Sequence, residues 1–195
     1  MRVASLVLIV CCALAISASD AAAQDKVELL GGYSFVRASV PVSATFLCPA
    51  PTCPIINANY HTSLNGWEFA GTYKANRWLG LTGDFGGQYG NIGTASAHLE
   101  TYLFGPTISL PSRVSPFAHV LFGVAHEAVE SGFSGGAIIF PTSGNYFAVA
   151  AGAGIDVKVA PVIAVRLIQI DYLATRAYSS TQNQPRVSAG VVLHF

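Results

Sequence analysis

Charge is scarce in this chain. Only 10% of the 195 residues are Asp, Glu, Lys or Arg, ten of each sign, where a soluble domain carries about 25%. A water-facing surface would have to be built mostly from uncharged groups, which argues against an ordinary soluble exterior. The balanced signs also offer no basic face for nucleic acid and no acidic tail. Long hydrophobic runs are missing as well. Hydrophobic residues make up 52% of the sequence, yet beyond the first segment they never gather into the about 20 apolar residues of a spanning helix. No stretch has the 3.6-residue period of a long amphipathic helix. Cysteines number four, and no Cys-x-x-Cys motif is present, which argues against redox catalysis.

The first segment is what a secretory signal peptide requires. Arg2 supplies the basic start, Val3 to Ile16 the apolar stretch, and Ala21-Ala22-Ala23 a small-residue cleavage site. The apolar stretch is short for a membrane anchor, so cleavage is predicted over residues 1–23, leaving a domain of residues 24–195. Cys11 and Cys12 leave with the peptide. A lipid-anchored start would want a small residue before Cys11, and Val10 stands there. Without Arg2 and Asp20 the mature chain keeps nine basic and nine acidic residues.

Period-two segments separated by Gly, Pro, Asn and Ser clusters fill the rest, the pattern of consecutive antiparallel strands. Eight are predicted, at 26–37, 63–75, 77–90, 97–110, 115–128, 145–159, 162–175 and 185–195. Each reaches the roughly 9 to 11 residues with which a tilted strand crosses a bilayer. Long connections are expected at 38–62, 91–96, 129–144 and 176–184, and tight ones near Asn76, at Pro111 to Val114 and near Pro161. That alternation fits an up-and-down barrel with all short turns at one rim and both termini beside them.

The last strand states the pattern most plainly. Val187, Ala189, Val191, Leu193 and Phe195 share one face; Arg186, Ser188, Gly190, Val192 and His194 share the other. Trp67, Phe69 and Tyr73 likewise oppose Glu68, Ala70, Thr72 and Lys74, and Phe147 to Val157 repeat the alternation. A soluble lipocalin-like barrel would turn the large residues inward, where a row from every strand would overfill an eight-stranded interior. Facing outward they meet lipid. The fold class is therefore all-β, an eight-stranded antiparallel up-and-down transmembrane β-barrel. Arg166 conflicts with this parity, since it falls with Ile168, Ile170 and Tyr172 while Gln169 and Asp171 take the other face. A bulge near Leu167 would reconcile them.

The segments Glu28-Leu-Leu-Gly-Gly-Tyr-Ser-Phe, Leu64-Asn-Gly-Trp-Glu, Phe104-Gly-Pro, Pro116-Phe-Ala-His and Val187-Ser-Ala-Gly-Val-Val-Leu-His-Phe resemble the small outer-membrane β-barrel family typified by the transmembrane domain of OmpA. The resemblance runs over nearly the whole mature chain. It implies a place in the bacterial outer membrane, surrounded by its lipid, with short turns on the periplasmic side. It further implies handling by periplasmic chaperones and insertion by the barrel-assembly machinery, which reads a final strand ending in an aromatic residue, here Phe195. No peptidoglycan-binding domain follows within the sequence, so cell-wall tethering is not expected.

Few residues invite a chemical role. Cys48 and Cys53 lie in the Pro-rich segment Leu47-Cys-Pro-Ala-Pro-Thr-Cys-Pro, and in an oxidising compartment a disulfide is their expected state. A metal site completed by His61 lacks a fourth ligand and the usual spacing. The charges Glu28, Glu68, Lys74, Asp84, Asp156, Lys158 and Arg186 all take inward parities, either as an ion path or as a lumen network of paired charges; pairing is favoured because an unpaired buried ion is costly. Gly152-Ala-Gly154 lies inside a strand with no helix after it, so relief of crowding is expected rather than phosphate binding. Trp67, Tyr73, Trp78, Tyr89, Tyr102 and Tyr172 suit interfacial girdles.

Among the histidines His98, His119 and His126, the segment Val124-Ala-His-Glu-Ala-Val-Glu-Ser131 comes nearest to the His and Ser of lipid A deacylases. It departs from that pattern at Ala128 and Val129, where Ser and Asn belong. No catalytic residue, metal or cofactor is assigned. The expected role is structural, presenting segments 38–62 and 129–144 outward to a partner the sequence does not name. A low-conductance pore, a lipid-modifying enzyme and a soluble binding barrel are the alternatives.

Overall fold

The computed structural model describes residues 26–46, 55–177 and 180–195. The predicted signal peptide, its cleavage site and the Cys48–Cys53 pairing lie outside the described residues.

The strands are β1 (Val27–Phe46), β2 (Ile55–Lys74), β3 (Leu79–Ile92), β4 (Ala95–Ser109), β5 (Val114–Val129), β6 (Gly132–Ser134), β7 (Ala137–Ile139), β8 (Thr142–Ala160), β9 (Ile163–Ala177) and β10 (Ser180–His194). Eight of them make the wall, each antiparallel to the one before, with β5 pairing directly to β8. The wall closes where β10 pairs with β1, from Glu28 opposite His194 to Val36 opposite Arg186. Val27 and Phe195 extend that seam by exchanging backbone hydrogen bonds of 3.0 and 2.8 Å. Closure leaves no sheet edge around the wall at this level, as lipid demands, since an unpaired backbone group there costs several kcal/mol.

Alternation decides which face each residue takes. From Thr181 to Phe195, β10 runs exposed then inward without a break. Trp67, Tyr73, Leu81, Phe104, Phe122 and Phe147 all stand exposed on the outer surface. The inside differs from expectation in one half. Near the end that bears the termini it is mostly polar, but the other half carries an apolar cluster including Leu64, Leu99, Leu103, Leu121 and Leu173. Leucines fit there because the opposing inward positions, such as Ala97, Ala125, Ala148 and Ala150, are small.

Four connections differ from the sequence expectation. Residues 38–46 and 55–62, expected as loop, continue β1 and β2 as a paired hairpin in register from Ala38 opposite Thr62 to Thr45 opposite Ile55. Beyond the membrane neither face is held to one solvent, so backbone pairing persists where the period-two signal does not. The connection expected at 91–96 shrinks to Gly93-Thr94, with Gly93 at φ 63°, and of the one expected at 176–184, residues 176–177 belong to β9 and 180–184 to β10. Within 129–144 a small hairpin forms, β6 and β7, turning through Gly135 and Gly136 at φ 56° and 84°. At the opposite rim, Asn76 Oδ1 accepts from the backbone N–H groups of Trp78 and Leu79 at 2.8 and 2.9 Å, shaping one tight turn.

The irregularity in β9 is a bulge at Leu167. Against β8, Ile168 lies opposite Ile155 and Arg166 opposite Asp156, so Leu167 has no counterpart. The same extra residue appears against β10, between Gln169 opposite Ser188 and Arg166 opposite Gly190. Leu167 and Ile168 both face out, and Arg166 is carried to the inside.

Candidate functional site in the barrel lumen

A network of charged side chains crosses the lumen around Arg186, which is fully buried. Its guanidinium grips Asp84 of β3 with Nη1 and Nη2 at 2.9 and 3.0 Å, the two-pronged geometry that suits a carboxylate. Its Nε donates to Asp171 of β9 at 2.8 Å. Asp171 meets His119 of β5 on its far side, 2.9 Å from Nε2. Gln169 Nε2 donates to Glu68 of β2 at 2.9 Å and to Asp171 at 2.7 Å, and Ser188 donates to the other Glu68 oxygen. Side chains from β2, β3, β5, β9 and β10 are thereby tied together at one level.

Two glycines make the room. A Cβ on Gly152 would overlap Asp171 Oδ1. One on Gly86 would crowd Gln88 and Thr101, with Arg186 Nη1 just beyond at 3.6 Å. The bulky network is accommodated by bare backbone opposite it.

Nearer the termini the charges form local pairs. Arg166 holds Asp156 through Nε and Nη2 at 2.8 and 2.9 Å, and its guanidinium lies 4.0 Å above the centre of the Phe117 ring. Lys74 Nζ and His194 Nδ1 stand 2.7 and 3.0 Å from Glu28 Oε1. These groups, with Lys158 and the hydroxyls of Thr72, Thr82 and Thr107, line a polar cavity of about 210 Å³.

The structure therefore divides the seven inward charges read from the sequence. Glu68, Asp84 and Arg186 meet in the central network, while Glu28, Lys74, Asp156 and Lys158 line the cavity below it. Sequence reasoning did not include Asp171, Arg166, Gln169 and His119 in this set. The clashing parities within β9 were the available signal, and placing the bulge at Leu167 collects the first three on one face.

Above the network lies the apolar cluster, and among the described residues the β6–β7 hairpin lies across the mouth. At one side Phe133 N–H donates to Thr94 Oγ1 at 2.8 Å; at the other β7 pairs with Ala44, Thr45 and Phe46 of β1. Ile139 of this hairpin is fully buried in the cluster.

The deacylase comparison finds no support in the geometry. His126 Nδ1 stands 2.7 Å from Asn145 Oδ1, while Ser131 lies exposed past the end of β5. Among the described residues no group of three His, Cys, Asp or Glu could hold a metal ion.

A closed antiparallel barrel with an apolar outer surface and a network of paired charges inside defines a transmembrane barrel of the bacterial outer membrane. The chain belongs to the family described as outer membrane protein beta-barrel domain, whose model matches residues 6–195. The solved structure of Neisserial surface protein A resembles it with a TM-score of 0.59 and 13% identity, covering 87% of this chain and 97% of that one. OprG from Pseudomonas aeruginosa matches with a TM-score of 0.52 and 10% identity, over 87% and 95% of the two chains. Ail, the attachment invasion locus protein of Yersinia pestis, matches with a TM-score of 0.51 and 13% identity, over 86% and 99%. No curated protein matches the chain in sequence.

Proposed function

We propose that this protein is a structural outer-membrane barrel that presents its outer segments, 38–62 and 129–144, to the cell exterior without catalysing a reaction. The observation that carries this reading is what occupies the lumen. A cross-linked charge network sits at mid-height, an apolar cluster lies above it, and a hairpin caps the mouth. A barrel built to pass solutes would keep a continuous wet path. The reading includes cleavage of residues 1–23, a Cys48–Cys53 disulfide in the first outer segment, and delivery by periplasmic chaperones to the assembly machinery.

Planar-bilayer recording of the purified, folded barrel tests it. Only brief, irregular current is expected. Large, stable openings of a single size would overturn the structural reading in favour of a pore.

A further inference from the structure

Glu127 is a buried carboxylate without a counter-charge. It lies near the outer end of β5, only 5% exposed, and its inward neighbours along the strand, Ala125 and Val129, belong to the apolar cluster. Its Oε1 accepts from Gln184 Nε2 at 2.8 Å and from Thr175 Oγ1 at 3.2 Å. Its Oε2 has no partner. Among the described residues no Lys, Arg or His forms an ion pair with it.

The unmet groups around it are mostly oxygens. Gln182 stands opposite Thr175 in the β9–β10 register and is 4% exposed, yet neither atom of its amide has a partner. Gln184 Oε1 is also unpartnered. Glu127 Oε2, Gln182 Oε1 and Gln184 Oε1 are thus three buried, free acceptors. Glu127 and Gln184 are directly hydrogen-bonded, and Gln182 is the next inward position along β10. Native interiors satisfy nearly all such atoms, and a charge among leucines and alanines is costlier than any neutral group.

We propose that this niche holds one monovalent hard cation, of the sodium and potassium class, ligated by Glu127, Gln182 and Gln184. All three available donors are oxygens, which favour hard ions over transition metals. Charge chooses the valence. One carboxylate neutralises one monovalent ion and leaves the apolar plug uncharged, whereas a divalent ion would leave a net positive charge in it. The niche lies at the outer ends of β5 and β9 and at the start of β10, so the ion would come from the exterior medium.

Thermal unfolding of the detergent-folded barrel tests the proposal, in sodium, potassium, calcium and choline chlorides at matched ionic strength. Sodium or potassium is expected to raise the wild-type midpoint by several degrees over choline, saturably, with calcium no more effective. Glu127→Gln should abolish the difference between salts. Gln182→Leu should shrink it, and carries the test if the first variant does not fold. Crystals soaked in thallium(I) should show anomalous density between Glu127 and Gln182. Identical wild-type midpoints in all four salts would overturn the proposal, leaving a protonated or hydrated Glu127. A response to calcium alone would overturn the monovalent assignment.

Discussion

Arg166 reaches Asp156 inside the barrel because Leu167 is an extra residue in its strand. With Leu167 counted out of the pairing, Arg166 lies opposite Asp156 and closes on it through two hydrogen bonds of 2.8 and 2.9 Å. Deleting Leu167 removes only the extra residue and leaves strict alternation with Arg166 and Gln169 both facing inward, so the Arg166–Asp156 pair should survive. In the full-length strand, a bulge-free pairing would instead turn Arg166 to the lipid face, where an arginine costs about 2–4 kcal/mol at the midplane and less toward the interface. The deletion is therefore expected to change urea unfolding from vesicles little, while Arg166→Leu, which leaves Asp156 without its partner, should lose about 1–3 kcal/mol. A loss on deletion as large as that of Arg166→Leu would contradict the bulge.

Arg186 is the one cation shared by Asp84, Asp171 and Glu68. Its removal leaves buried carboxylates facing one another, and breaking a buried pair from one side costs about 3–5 kcal/mol. Arg186→Leu should lose about that much in the same unfolding measurement. Arg186→Lys keeps the charge but gives up the two-pronged grip on Asp84 and should fall between.

Gly152 leaves the space that the Asp171 carboxylate occupies beside His119. Gly152→Val should displace Asp171 and sharply lower the yield of folded barrel, read as the compact form on unheated gels. Gly31, which has nothing near its missing Cβ, provides the control. Gly31→Val should fold normally, and equal loss in both variants would deny Gly152 a special role.

Phe195 stands exposed at the closing seam, where its backbone pairs with Val27. If its ring serves as the signal read during insertion, deleting it should slow assembly in cells more than it lowers the unfolding free energy of barrels refolded in vitro. Proportionate loss of both would mean that Phe195 matters only as part of the seam.

How much of this was legible depended on whether lipid or lumen constrained the residue. The transmembrane parts of the eight wall strands were readable because each inward residue is followed by a lipid-facing one, as in Arg186, Val187, Ser188. The extensions at 38–46 and 55–62 were not, since outside the bilayer no apolar face is imposed. Asp84 and Arg186 sit on strands of clean parity and were found as inward charges. Asp171 and His119 were missed as their partners, because cross-lumen contacts link β5, β9 and β10 at a depth that depends on strand tilt and stagger, which no single strand's pattern encodes. The apolar plug was hidden for a related reason, as alternation marks Leu103 and Leu121 as facing in without saying that they share one level.

The first strand changes neighbours along its length. Up to Val36 it lies beside the last strand of the chain; from Ala44 it lies beside β7, contributed by the middle of the chain. A nascent barrel therefore cannot finish its first strand by zipping the two termini together, because its outer end, Ala44 to Phe46, waits for a segment about a hundred residues away. Chain closure and mouth closure become two separate events on one strand. A barrel caught between them would be sealed against the bilayer yet open at the top, with the leucines of its plug still wet.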